Sequence, residues 1–119
     1  MEYLLALIFP FFILLIENFL PYPHIVEELF KFYLAKKASS TKIAIILGLL
    51  FSLSEAIFYV MNPGAPLYRV LIVAPMHIST ILVMYYFSKT KSLWPLGLFL
   101  AILIHYLFNT FLLLTQASF

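Results

Sequence analysis

Two adjacent carboxylates, Glu27 and Glu28, stand one helical turn before a lysine in the stretch His24-Ile25-Val26-Glu27-Glu28-Leu29-Phe30-Lys31. Nearly everything around them is apolar, and an ionisable residue at membrane depth costs roughly 2.5–3.5 kcal/mol on insertion scales. Such a pair needs partners, and the chain offers Glu55, His77, His105 and Asn109. Carboxylates and imidazoles converging in a dry cavity can activate a water. A Glu then serves as general base, and His or Asn groups steady the developing oxyanion. Burial disfavours the charged form of a lone Glu, whereas Lys31 or Arg69 beside it favours that form. One Glu can thus stay ionised as the base while another keeps its proton. Two Glu and two His can also hold a divalent cation such as Zn²⁺, although the chain has no HExxH pattern.

The elements that must position these groups are membrane helices. Of 119 residues, 65% are hydrophobic and only 10% charged, with a mean hydropathy of +1.08. An ordinary soluble domain is about 25% charged. The length allows one domain, which we take as a single integral membrane domain over 1–119. The absence of cysteine excludes disulfides and thiolate metal sites. No stretch is basic or Gly-rich enough for nucleic acid or nucleotide phosphates. The N-terminus has neither a basic n-region nor an A-x-A-like site, so the first apolar run reads as retained.

The fold class that follows is all-α, a polytopic transmembrane helical bundle of about five membrane segments with a short second helix. The first segment covers residues 3–20, is kinked at Pro10, and is ended by Pro21-Tyr22-Pro23. The second, residues 23–37, is amphipathic and would reach only about 20–23 Å. The third runs over 43–61 with Phe51, Ser54 and Glu55, and Asn62-Pro63-Gly64-Ala65-Pro66 closes it. The fourth runs over 67–87, with Arg69 near its start and Pro75-Met76-His77 further on. Pro75 cannot donate a backbone hydrogen bond, which would loosen the helix and free a carbonyl toward the cavity. The fifth, residues 93–115, carries His105 and Asn109.

Lys36, Lys37 and Lys42 share one connection and Lys89 and Lys91 another, whereas the remaining two hold no lysine. The positive-inside rule makes the lysine connections cytoplasmic, in a multi-pass protein of the cell membrane with its N-terminus inside and its C-terminus outside. Each helix then brings its polar residues to the outer half of the bilayer. Glu55 lies about 20 Å up its helix, His77 about 15 Å down, and His105 about 18 Å up. Glu27 and Glu28 fall in the first turns of the second helix. Spacing also favours shared faces: Glu27 and Lys31, Phe51 and Glu55, and His105 and Asn109 are each i, i+4.

Glu27-Glu28-x-x-Lys31, Phe51-x-x-x-Glu55, Arg69 with His77 in Pro-Met-His, and His105-x-x-x-Asn109 together resemble the PrsW family of glutamic-type intramembrane proteases. That family shares a clan with the CAAX-processing endopeptidases, the bacteriocin-immunity CPBP proteins and the scaffold subunit of gamma-secretase. The four blocks occur in the family's order across residues 24–109. In the CAAX branch the second motif ends in His; Glu55 stands there in this chain, as in PrsW. The resemblance implies that Glu27 or Glu28 activates water with His77 assisting, and that His105 and Asn109 form the oxyanion site. Lys31, Arg69 and Phe51 would support them, with no resident cofactor. It also implies a membrane-anchored protein as substrate. Family members usually carry additional helices, so this shorter chain would either act as a minimal five-segment form or close its cavity with a homo-oligomer or a partner subunit.

Other readings apply to the same residues. Carboxylates near a helix N-terminus favour the dipole, Lys31 can be a structural counter-ion, and Arg69 can snorkel to headgroups. His105 can be an interhelical hydrogen bonder. Glu17 and His24 read as interface residues, and the many Phe and Tyr as packing or lipid-facing groups. As a whole the chain can also be a catalytically silent scaffold, or a small transporter or metal-binding membrane protein. The nearly uniform apolar inner halves of the helices argue against a transport path.

Overall fold

A computed structural model of the chain describes residues 1–61 and 68–117, apart from the side chains of Asn18, Arg69, Val70, Gln116 and Ala117. The turn expected at 62–66 and the supporting side chain of Arg69 therefore lie outside the described residues. The secondary structure of the described residues is all helical, with no strand: α1 Glu2–Ile16, a 3-10 turn Glu17–Phe19, α2 Pro23–Lys37, α3 Thr41–Met61, α4 Tyr68–Ser88 and α5 Trp94–Ala117. The bundle measures 43 × 27 × 27 Å.

Local chemistry sets the boundaries. Pro21 disfavours helix at the residue before it, and Leu20 is extended at φ −98°, ψ 127°. The α-helix consequently stops at Ile16 and tightens into the 3-10 turn, so α1 is shorter than the expected 3–20 segment. Pro23 opens α2 at a position where its missing N–H costs nothing. Helix α3 begins at Thr41, two residues before the expected start. Ser40 Oγ accepts a hydrogen bond from the Ile43 N–H at 3.3 Å and so caps an otherwise free donor.

Among the described residues, three stretches are long and apolar enough to cross a membrane: Thr41–Met61, Leu71–Ser88 and Trp94–Thr115. Helices α1 and α2, at 15 residues each, would reach only about 22 Å against a hydrocarbon core of about 30 Å. Large apolar side chains cover the outside, among them Leu15, Leu71, Phe111 and Leu114. That is the reverse of a water-facing surface and fits a lipid-facing one.

Packing is closest between α3 and α4 and between α4 and α5, while α1 leans on α2 and α3. Gly48 allows the first of these approaches: a Cβ there would stand 2.9 Å from Ile78 Cα. Ser54 Oγ on α3 donates to the Leu7 carbonyl of α1, and Phe9 of α1 stacks on Phe30 of α2 at 3.4 Å. Leu34, Ala35, Ala44, Leu47, Ile81, Met84 and Ala101 form a continuous buried apolar core toward the lysine-bearing end. Polar side chains collect at the opposite end of that core.

Candidate active site

Six of the side chains singled out by type and spacing meet in one buried cluster drawn from four helices. Lys31 Nζ lies 2.7 Å from Glu27 Oε1 and donates a 2.6 Å hydrogen bond to Glu28 Oε1. The i, i+3 and i, i+4 spacings stack all three on one face of α2, which α4 and α5 cover. From α5, His105 Nδ1 reaches Glu28 Oε1 at 2.7 Å. Between α3 and α4, His77 Nε2 is 3.0 Å from Glu55 Oε2, and His77 Nδ1 faces Glu27 Oε1 at 3.4 Å. The two imidazoles meet edge to face with centroids 6.0 Å apart.

Phe51 supports this arrangement from below. Its ring lies 5.1 Å from that of His77, and Lys31 Nζ sits 4.9 Å from its centroid. Phe51, Lys31, Glu28 and His77 are all fully buried. A cation beneath two carboxylates and above a π face is held on both sides. The cluster contains three carboxylates, one ammonium and two imidazoles.

The two adjacent glutamates differ in kind. Glu28 is enclosed and holds both Lys31 and His105 through one oxygen. Glu27 lines a cavity of about 280 Å³, as do Glu55, His105 and Asn109. Its Oε1 pairs with Lys31 by distance but not in hydrogen-bond geometry, and both that atom and His77 Nδ1 retain unspent hydrogen-bonding capacity. His77 is not among the residues that line the cavity; it is fully buried and contacts Glu27 and Glu55, which do.

No protein-family model, curated protein or solved structure matches the chain. The site therefore has to be read from its own chemistry.

Among the described residues, two donor sets have the composition of a divalent metal site, Glu27 with Glu28 and His105, and Glu27 with Glu55 and His77. In the first, the cation position is taken by Lys31, which touches both carboxylates. The second lacks such an occupant among the described residues.

Some expectations need revision. Pro75 and Leu71, whose carbonyl loses its helical donor to the proline, both lie on the exposed face of α4. The freed carbonyl is thus turned away from the cavity, because two residues along a helix carry His77 about 200° round. Glu17 and His24, expected at the interface, both line the cavity, and His24 stands 6.0 Å from the His105 ring. Tyr59, one turn beyond Glu55, lines it too and was not singled out. Its i, i+4 spacing from Glu55 is the signal that would have found it.

Proposed function

We propose that the protein is an intramembrane endopeptidase of the PrsW type, hydrolysing peptide bonds of membrane-anchored proteins with a water activated by Glu27. The observation that carries this reading is the unequal placement of two neighbouring glutamates: Glu28 locked by Lys31 and His105, and Glu27 lining the cavity beside Glu55.

In this mechanism Glu27 takes a proton from a water in the cavity, and the resulting hydroxide oxygen adds to the substrate's carbonyl carbon. Negative charge develops on the carbonyl oxygen. His105, held at Nδ1 by Glu28, has its other ring nitrogen left to donate as an imidazolium, and Asn109 offers its amide one turn further along the same cavity wall. Protonated Glu27 then gives its proton to the amide nitrogen as the C–N bond breaks, leaving a carboxylic acid and an amine. Glu55 and His77 hold one another and fix the far side of Glu27. Lys31 touches both carboxylates of the pair and orients them.

The buried apolar core beneath the cluster, with Leu34, Leu47 and Met84 toward the lysine-bearing end, supports hydrolysis over ion transport. The lysine distribution supports a multi-pass arrangement with the N-terminus in the cytoplasm, which puts the cavity in the outer half of the bilayer.

The test is cleavage of a library of single-span membrane peptides by the purified protein in liposomes, read by mass spectrometry with and without chelator. Cleavage that is lost in Glu27→Gln and indifferent to chelator supports the reading. Chelator-sensitive cleavage would move the chemistry to a metal at Glu27, Glu55 and His77. No cleavage of any peptide by well-folded protein would favour a silent scaffold.

A further inference from the structure

The cavity extends past the cluster to a mouth whose chemistry the hydrolytic step does not use. Pro10, Ile13, Leu14 and Glu17 fall at i, i+3, i+4 and i+7, so one stripe of α1 and the turn after it forms one wall. Helix α5 forms the other wall, ending in Leu112 and Leu113. Leu113 is 68% exposed although it lines the cavity, so the cavity opens sideways at that point. Entering there, a side chain would pass between apolar walls before it met a carboxylate.

Glu17 is that carboxylate. It is half-buried, and no described cation pairs with it. Lys31 is spent on Glu27 and Glu28. The other lysines, 36, 37, 42, 89 and 91, lie at the opposite ends of the helices. Glu27, also lining the cavity, keeps a buried oxygen outside hydrogen-bond geometry. With Glu55 nearby, the lumen carries three carboxylates and no lysine among its described lining residues. An aliphatic stem with a cationic head, that is lysine or arginine, complements apolar walls leading to an acidic end.

We propose that Glu17 is a specificity-determining residue that selects substrates carrying a lysine or arginine beside the cleaved bond. This rests on the peptidase reading for its biological meaning, but the selection itself is a binding property. His24, which also lines the cavity and stands 6.0 Å from the His105 ring, would face the same side chain.

The experiment uses full-length protein in liposomes and three fluorescent single-span peptides that differ only by lysine, glutamine or glutamate at the outer flank. Equilibrium binding and cleavage are both measured, for wild type, Glu17→Gln, Glu17→Asp and Glu17→Lys, each checked for native helix content and melting. The lysine peptide should bind about tenfold more tightly to wild type, the scale of one charge-assisted hydrogen bond. Glu17→Gln should abolish that ratio, Glu17→Asp should restore part of it, and Glu17→Lys should invert it in favour of a glutamate-flanked peptide. Equal binding of the lysine and glutamine peptides by wild type, or a ratio unchanged in Glu17→Gln, would overturn the proposal. Discrimination in binding without cleavage would sustain the subsite while sinking the peptidase reading. Cleavage without discrimination would do the opposite.

Discussion

Replacing Lys31 by methionine keeps most of the side-chain volume and removes the one ammonium in the cluster. Lys31 is fully buried and lies within 2.7 Å of two carboxylates, one of them fully buried as well. Removing one partner of a buried ion pair costs about 3–5 kcal/mol, because the other charge is left uncompensated. Two carboxylates are abandoned in this case, so Lys31→Met should fall at the upper end of that range, a large part of a total stability of about 5–15 kcal/mol. Glu28→Gln in the same background removes one abandoned charge while keeping an acceptor for His105. The double variant should therefore be more stable than Lys31→Met alone, with a coupling of about 2–3 kcal/mol in the double-mutant cycle. Trp94 is the only tryptophan and stands 5.3 Å from Phe32 of α2, so its fluorescence during denaturant unfolding in micelles reports the α2–α5 contact. Additivity within about 0.5 kcal/mol, or a Lys31→Met protein as stable as wild type, would refute an ionic cluster and mean that the glutamates are neutral.

Two further outcomes test the frame around the site. Gly48→Ala places a methyl against the Ile78 backbone at 2.9 Å, which has no flexible side chain to give way; the α3–α4 contact should loosen at a cost of about 1–3 kcal/mol, read by the same unfolding titration. Because the chain has no cysteine, single replacements can be labelled on intact cells with a membrane-impermeant maleimide. Tyr22→Cys should label from outside, and Ser39→Cys and Ser92→Cys only after permeabilisation; the reverse pattern would invert the orientation.

The order and approximate limits of the helices were legible in the sequence, because prolines, lysine-bearing connections and long apolar runs punctuate it strongly. Convergence of Glu27, Glu55, His77 and His105 was legible too, since depth along each helix follows from residue count alone. Rotation about the helix axes was not. Spacing cannot tell that Glu28 turns inward to His105 while Glu27 turns to the cavity, because adjacent residues differ by about 100° and the facing partners come from another helix. The same limit turned the carbonyl freed by Pro75 toward the cavity and hid Glu17 and His24, which flank the break between α1 and α2. The early end of α1 depended on Pro21 acting through Leu20, a local effect that an apolar run of suitable length had masked.

The most direct measurement compares turnover of one cleaved membrane peptide by wild type, Glu27→Gln and Glu28→Gln in liposomes, with folding verified by unfolding titration. Glu27 as the water-activating base requires Glu27→Gln to lose at least about 100-fold in turnover, the lower range for a general base, while remaining as stable as wild type within about 1 kcal/mol. Glu28→Gln should instead be destabilised, with its activity loss following its stability. A Glu27→Gln protein that cleaves at the wild-type rate would contradict the assignment.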